Sequence, residues 1–374
     1  MRELCSGLIQ NGCAVTIYTT WRGHDEKTDG PMDQQVRSLG VSIEHFPEHP
    51  WNWLGQRYAF SPALKEALEK NLSSFDIVHI HSIWLYPTLI ASRLCRRFKI
   101  PYIISPCGAL DPYGMQRRSW FKRCYGFLIE RFTLMHAQRI HFTSPLEAAR
   151  AERFGTVTPH SVVPRSIRPE LIPATHSGDF RKKYPEIGNR SILLFLGRMH
   201  PKKRPALLAC ALSQITSKEK LQLVFVGPNE GAVNSVQAVL KKNNLSGHAT
   251  FIPSLSGVEK WACYRDSQLF LLPSRDENFG VSVLEAMAIG LPVLVSPEVG
   301  IAAWIARNQC GRVETAHSKI WAEAIVSLLE NRTETEAMGK AGQQLVSTVF
   351  STQTVAQSMR HLYEQVLQEY GPLP

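Results

Sequence analysis

The sequence has no long apolar run, no low-complexity tract and no short repeat. Nowhere do about 18 apolar residues follow one another, which argues against a membrane-spanning helix. Polar residues interrupt every apolar stretch of the opening segment MRELCSGLIQNGCAVTIYTT, so a signal peptide is not expected. The lack of a repeat argues against solenoids and arrays. At 374 residues, with 44% hydrophobic and 20% charged residues, the chain is sized for two globular domains.

Cysteine pairs with metal-binding spacing are absent as well. The eight cysteines are scattered along the chain and no Cys-x-x-Cys pair occurs, so structural zinc is not supported. Several lie in apolar segments, where a free thiol behaves as a small hydrophobe. A reducing cytoplasm is the simplest interpretation of this cysteine usage.

Positive charge is unevenly distributed. The net charge is +10, and nine basic residues between Arg93 and Arg131 are opposed only by Asp111 and Glu130, with aromatic residues interleaved. Basic and aromatic residues together suit an anionic membrane surface, a lipid-phosphate acceptor or nucleic acid, and a solvated basic face explains the charge equally well. We expect peripheral contact with the inner face of the plasma membrane and no nucleic-acid partner.

Short apolar strands alternate with helical segments along the whole chain. This pattern predicts the α/β class, with parallel sheets covered by helices on both faces. It is interrupted once by a stretch rich in proline and polar residues, and it restarts at residue 191. We therefore predict an N-terminal domain over 1–172, a linker over 173–190, a C-terminal domain over 191–350 and a last helix over 351–374 that could pack back on the first domain.

Residues 273–292 carry the richest set of functional groups. A buried strand runs into a polar turn, and Gly280 begins a helix whose first three amides, of residues 281–283, would point towards a phosphate or a sugar hydroxyl. Glu277 lies in the turn and Glu285 lies eight residues later, where a carboxylate can accept two hydrogen bonds from a ribose. The alternative is that Glu285 is an ordinary helix residue and Glu277 a favourable charge near the helix start.

A basic turn follows another predicted strand. Arg198 and Lys203 flank this turn and can converge on one anion. Two fixed cations facing a diphosphate would offset the charge that develops as it leaves, and would replace a divalent metal. A loop of solvated basic residues is the alternative.

Together these segments resemble the donor site of the group 1 (family 4) retaining glycosyltransferases. The pattern L-P-S-x-x-E-x-F-G-x-x-x-L-E-A-M-A-x-G-x-P-V is matched almost throughout, and the resemblance is strong over 191–315 and weaker over 1–170. It implies the GT-B fold, in which two doubly wound Rossmann-like domains face each other across a cleft. It also implies a nucleotide-sugar donor and retention of anomeric configuration, and we expect neither a metal nor another cofactor.

The resemblance assigns roles to individual residues. Arg198 and Lys203 would bind the diphosphate, Glu285 the ribose, and Glu277 the donor sugar. The other donor-binding candidates are Gly197, Asn278, Phe279, Gly280 and Val281.

Two segments of the first domain resemble the family's acceptor-side loops, His79-Ile-His-Ser-Ile-Trp84 and Ser105-Pro-Cys-Gly-Ala-Leu-Asp-Pro112. We expect His79 and His81 to alternate on a strand, so that only one of them faces the cleft, and His81 is nearer to the loop. Taken alone, a His-x-His pair is more often structural than catalytic. The acceptor-side candidates are His81, Cys107 and Gly108.

The sequence departs from the family in three places. Cys107 stands where many relatives have histidine or arginine, so no histidine role is inferred there. Residues 163–166 replace a common Pro-Asn-Gly turn.

Residues 1–10 resemble the family's first helix, which usually follows a strand and a Gly-rich loop. We therefore expect the reading frame to extend upstream by about 15–25 residues. Without that strand, the strands near 14–19 and 76–81 would each have an unpaired side, and the chain would be unstable or inactive.

The expected activity is transfer of a hexose-type sugar to a glycan or lipid-linked acceptor in cell-surface polysaccharide synthesis. One alternative is a metal-independent nucleotide-sugar epimerase, which would isomerise the donor without an acceptor. Another is a degenerate protein that binds a nucleotide sugar without turnover. A metal-dependent hydrolase built on His79 and His81 is disfavoured because no acidic ligand set accompanies them.

Overall fold

The computed structural model describes residues 2–21, 31–49, 58–110, 129–152 and 158–371. They form two compact units, of which the first combines Met1–Ser166 with Thr352–Pro374 and the second is Ile167–Ser351. Strands and helices alternate in both units, which confirms the predicted α/β class. None of the described helices is both long enough and apolar enough to cross a membrane.

The second unit is built on a six-stranded sheet in which every pair of neighbouring strands is parallel. The strand order is β12-β11-β10-β7-β8-β9. Strand β8, with the sequence LQLVFV, is buried along its whole length, as is typical of a parallel sheet covered on both faces. The strands are β7 (Ser191–Leu196), β8 (Leu221–Val226), β9 (Ala249–Ile252), β10 (Ser267–Leu272), β11 (Val293–Val295) and β12 (Arg312–Val313).

Helices pack on both faces of this sheet, and Trp321 and Phe279 are among the fully buried side chains of the core. The helices are α7 (Asp179–Lys183), α8 (Pro205–Ser213), α9 (Val233–Lys242), α10 (Gly257–Asp266), α11 (Val281–Ala288), α12 (Ala302–Asn308), α13 (Ser318–Glu330) and α14 (Arg332–Thr348).

Part of the segment expected to be a linker is folded into the second unit. Residues 173–190 contain helix α7, and the Phe180 side chain of this helix is buried in the core of the second unit. The Asp266 carboxylate accepts hydrogen bonds from the amides of Gly178, Phe180 and Arg181. A helix of five residues is too short to show a periodic apolar pattern, so the sequence did not indicate it.

The first unit has a four-stranded parallel sheet in the order β3-β4-β5-β6 and a two-stranded parallel sheet, β1-β2. Among the described residues, β1 has one strand neighbour, β2, and β3 has one, β4. Each of these two strands therefore has one side that is not paired with another described strand, as expected from the sequence. The strands are β1 (Thr16–Trp21), β2 (Ser42–Pro47), β3 (Val78–His81), β4 (Tyr102–Ser105), β5 (Arg139–Phe142) and β6 (His160–Val162).

The last helix of the chain belongs to the first unit. Its residues Val355 and Met359 pack with Leu8 of the first helix and Ile103 of the sheet. The helices are α1 (Arg2–Gln10), α2 (Pro31–Arg37), α3 (Pro62–Asn71), α4 (Tyr86–Phe98), α5 (Arg131–Met135), α6 (Pro145–Glu152) and α15 (Thr352–Tyr370). Residues 111–128, between α4 and α5, lie outside the described part of the chain.

Candidate functional site

Lys203 and Glu277, predicted to act on the donor, are in direct contact. The Lys203 ammonium lies 2.7 Å from Oε2 of Glu277, and only 9% of Lys203 is exposed. Lys203 follows β7, and Glu277 follows its neighbour β10 in the sheet. A Cβ atom added to Gly197 would lie 3.0 Å from the Lys203 ammonium, so a glycine there lets the charge approach the backbone closely.

Hydrogen bonds join the two loops that carry this ion pair. The carbonyl of Lys202 accepts a bond of 2.8 Å from the Arg275 amide and one of 3.4 Å from the Ser274 hydroxyl. The Lys202 ammonium lies 3.6 Å from Oδ2 of Asp276. The position of Lys203 is therefore fixed by its own loop and by the loop of its partner.

A third loop, after β11, supports Glu277. The Glu277 amide donates to the Glu298 carbonyl at 3.2 Å, and the Glu277 carbonyl accepts from the Gly300 amide at 2.9 Å. A Cβ atom on Gly300 would lie 2.0 Å from the carbonyl oxygen of Asn278, which no side chain could accommodate without a shift of the backbone. The close approach at Gly300 holds the 277–280 turn in place.

The start of helix α11 differs in one respect from the prediction. The Val283 amide donates to the Gly280 carbonyl at 3.0 Å, so it does not point out of the helix, because the first turn closes with an i to i+3 bond. The amides of Val281 and Ser282 have no acceptor within the described residues. Two amides therefore remain at this helix start for an anion or a hydroxyl.

Phe279 can meet a donor only through its backbone. Its side chain is 1% exposed and packs against the rings of Trp304 and Phe350 in the core. Gly280 has φ of 98°, a left-handed conformation that favours glycine, and it turns the chain into α11.

Arg198 has a different partner from Lys203. Its guanidinium lies 2.9 Å from Oε2 of Glu230, and 54% of the Arg198 side chain is exposed. Each of the two predicted diphosphate-binding cations thus contacts its own carboxylate. Sequence reasoning missed Glu230, although it lies in the turn Gly227-Pro-Asn-Glu that directly follows β8, where functional groups of such sheets collect.

Glu285 is held by two residues of helix α10 that sequence reasoning also missed. The Lys260 ammonium lies 2.7 Å from its Oε1, and the Tyr264 hydroxyl lies 2.9 Å from its Oε2. Burial and the neighbouring Glu285 carboxylate raise the pKa of Tyr264 well above its usual range, so the phenol remains a donor. The sequence signal that could have pointed to these two residues is their spacing, because residues four apart lie on one face of a helix.

In the first unit, the expectation that His79 and His81 alternate on their strand is wrong. Residues two apart on a strand point to the same side of the sheet, and the two rings are stacked with centroids 4.2 Å apart. His81 is paired in register with Ser105, so the two acceptor-side loops do leave neighbouring strand ends.

His79 also belongs to a chain of hydrogen bonds through the sheet. Its Nδ1 lies 2.8 Å from the Tyr363 hydroxyl, its Nε2 lies 3.2 Å from Nδ1 of His141, and Nε2 of His141 lies 2.8 Å from the Val163 carbonyl. A carbonyl only accepts, so His141 carries its proton on Nε2, His79 donates from Nε2, and Tyr363 donates to His79. Burial lowers the pKa of His79 and lowers that of His141 to about 4, so all three groups are neutral.

The other acceptor-side candidates lie in a tight turn after β4. Cys107 has φ of 53° and Gly108 φ of 79°. The Cys107 thiol lies 3.6 Å from the Ser105 hydroxyl. The amide of Gly108 donates at 2.6 Å to Oε1 of the buried Glu147, a residue that sequence reasoning missed and that positions this turn.

Two family models match the chain. Residues 177–345 match the model described as "Glycosyl transferases group 1". Residues 1–165 match the model described as "Glycosyl transferase 4-like domain". The two matches together take in both units.

Curated relatives and solved structures point the same way. A D-inositol 3-phosphate glycosyltransferase from Segniliparus rotundus is 27% identical over 362 residues, covering 91% of this chain and 78% of the relative. A glycosyltransferase from Rickettsia africae matches with a TM-score of 0.77 at 15% identity, covering 98% of this chain and 93% of that chain. HepE from Anabaena in complex with UDP and glucose matches with a TM-score of 0.74 at 16% identity, covering 94% of this chain and 100% of that chain.

Proposed function

Because the chain belongs to the group 1 glycosyltransferases and has the GT-B fold, we propose that it transfers a hexose from a nucleoside-diphosphate sugar with retention of configuration. The observation that carries this proposal is the Lys203–Glu277 contact of 2.7 Å at neighbouring strand ends. It brings a cation and a carboxylate together near the start of α11, where the amides of Val281 and Ser282 have no acceptor among the described residues.

These groups suit the chemistry of a departing nucleoside diphosphate. As the bond between the sugar and the diphosphate breaks, negative charge grows on the phosphate oxygens. The Lys203 ammonium and the amides of Val281 and Ser282 would stabilise that charge, and Arg198 would leave Glu230 to join them. Because this charge stabilisation needs no metal, we propose that transfer proceeds in the presence of a chelator.

The donor is identified by a thermal-shift screen with UDP-, GDP- and ADP-sugars. A donor at 100 times its Kd should stabilise the protein by about 2.7 kcal/mol. HepE was solved with UDP-glucose, so UDP-sugars are screened first.

Retention and metal independence are tested by NMR, which follows the anomeric configuration of the product with and without EDTA. Isomerisation of the donor without an acceptor would instead show an epimerase, and binding without turnover on any acceptor would show a degenerate protein.

We further propose a glycan or lipid-linked acceptor of cell-surface polysaccharide synthesis, reached from the cytoplasmic side of the membrane. The mixture of basic and aromatic residues between Arg93 and Arg131 in the sequence supports it. The names of the curated relatives give phosphorylated inositols as a second acceptor class for the same assay. A product formed only with inositol phosphates would overturn the polysaccharide role and leave the glycosyl transfer intact.

A further inference from the structure

The carboxylate of Glu285 is partly enclosed, and both of its oxygens have a partner within the protein. Oε1 is 2.7 Å from the Lys260 ammonium and Oε2 is 2.9 Å from the Tyr264 hydroxyl. The side chains of Glu285 and Lys260 are 16% and 22% exposed. The pair is thus mostly enclosed but still accessible from the surface.

Tyr264 cannot hold this carboxylate alone. Its hydroxyl lies 3.1 Å from the Ser282 carbonyl as well as 2.9 Å from Glu285. A phenol has one hydrogen, which these two acceptors share. Lys260 therefore donates the stronger hydrogen bond to Glu285, and this bond fixes the orientation of the carboxylate.

The Lys260 ammonium is itself fixed from a second side. It lies 4.8 Å from the centroid of the Trp261 ring, within the range of a cation–π contact. A lysine held by a carboxylate and an indole loses little additional freedom when a ligand binds beside it.

Two hydrogen-bonding positions remain on the carboxylate. An ionised carboxyl group offers about four acceptor positions, of which Lys260 and Tyr264 occupy one each. A ribose has two neighbouring hydroxyls, each with one hydrogen to donate. The number of open acceptor positions thus equals the number of ribose hydroxyls.

We propose that Lys260 is a positioning residue of the donor site, which orients the Glu285 carboxylate so that it accepts both ribose hydroxyls. This inference rests on the proposed nucleotide-sugar donor and adds to it the residue that makes the site selective for an intact ribose. Lys260 acts through Glu285 and does not itself bind the diphosphate.

The test measures selectivity for the ribose hydroxyls. UDP, GDP and ADP are titrated calorimetrically into the wild-type protein, and the tightest binder is compared with its 2′,3′-dideoxy counterpart. We expect the wild type to bind the intact nucleotide about tenfold or more tightly than the dideoxy form, because hydrogen bonds to a charged group are strong. Lys260→Met should reduce this ratio to about threefold or less, while affinity for the dideoxy nucleotide stays within about twofold of wild type.

Two further variants separate positioning from structural damage. Lys260→Arg, which keeps the charge, should restore most of the selectivity. Lys241→Met, at an exposed lysine on helix α9, should change nothing. The inference is overturned if Lys260→Met keeps the wild-type ratio, or if it weakens both nucleotides equally, since the lysine would then act on another part of the ligand. A wild-type protein that binds none of the three nucleotides overturns the proposed donor itself.

Discussion

Lys203 is the residue whose loss should affect the proposed reaction most directly. Its ammonium is enclosed by Gly197 and Glu277, so it is held in one place before a donor arrives. Lys203→Ala and Glu285→Ala should each lower kcat/KM without unfolding the protein. The loss should correspond to about 2–4 kcal/mol of transition-state stabilisation. Steady-state kinetics and thermal melting check both effects, with exposed Lys241→Ala as the control. Near-wild-type kcat/KM in either variant would show that its side chain has no such role.

At the level of residues, the sequence identified both members of the Lys203–Glu277 pair, but only Arg198 and Glu285 of the two other pairs. Lys203, Glu277 and Glu285 lie within recognisable segments at strand ends. Glu230 and Lys260 come from other segments, and only folding brings them to Arg198 and Glu285. The spacing of His79 and His81 itself predicts that they share a side of the sheet, since side chains two residues apart on a strand point the same way.

At the level of secondary structure, helices α4 and α5 form a basic and apolar surface on the first unit. The Arg96 guanidinium lies 4.3 Å from the centroid of the Phe132 ring. Phe132 and Met135 are 47% and 44% exposed, and Arg93 and Arg97 are exposed nearby. The central part of the basic stretch, residues 111–128, lies outside the described residues.

We predict that this surface binds anionic membranes. The protein should co-sediment with vesicles containing acidic lipid and not with neutral ones, and binding should weaken as salt rises because surface charges are screened. Phe132→Ala and Arg97→Gln should each reduce binding several-fold, and Leu171→Ala, an exposed apolar residue of the second unit, should not. Equal sedimentation with neutral and acidic vesicles would contradict the prediction.

Long or continuously apolar elements could be predicted from the sequence, and short ones could not. Strands β7 and β8 are apolar runs, and α15 has a clear periodic face. Helices α2 and α12 and strand β12 could not be predicted from the sequence. These elements contain seven, seven and two residues, which is too few for a period to be recognised.

At the scale of the whole molecule, the two ends of the chain are packed together in the first unit. Helix α15 begins after the second unit ends, and it packs on α1 and the sheet of the first unit. A Cβ atom on Gly7 would lie 2.5 Å from the Cβ of Ala356, so the two helices are in close contact. The sequence allowed this packing but did not require it, because it depends on residues separated by most of the chain.

The hydrogen-bond chain from Tyr363 through His79 and His141 to Val163 makes this packing sensitive to pH. Burial lowers the pKa of His81 to about 3 and that of His141 to about 4, whereas an unfolded histidine titrates near 6.5. Between pH 6.5 and about 4 the unfolded chain therefore binds protons that the folded chain does not, and folding stability must fall as pH decreases through this window. A proton on His141 Nδ1 would also face the proton that His79 donates.

The expected outcome is that the first unit loses stability to urea as pH falls from 7.5 to about 4.5, while its stability changes little above pH 7. Tyr363→Phe leaves Nδ1 of His79 without its donor and should cost about 1–2 kcal/mol at pH 7.5. The same change removes an obstacle to protonating that nitrogen, so the gap between variant and wild type should narrow at low pH. Tyr370→Phe, at an exposed tyrosine on the same helix, should behave as wild type at both pH values. If the gap between Tyr363→Phe and wild type is the same at pH 7.5 and pH 5, the tyrosine hydroxyl does not donate to a neutral His79, and the assigned direction of the proton chain is wrong.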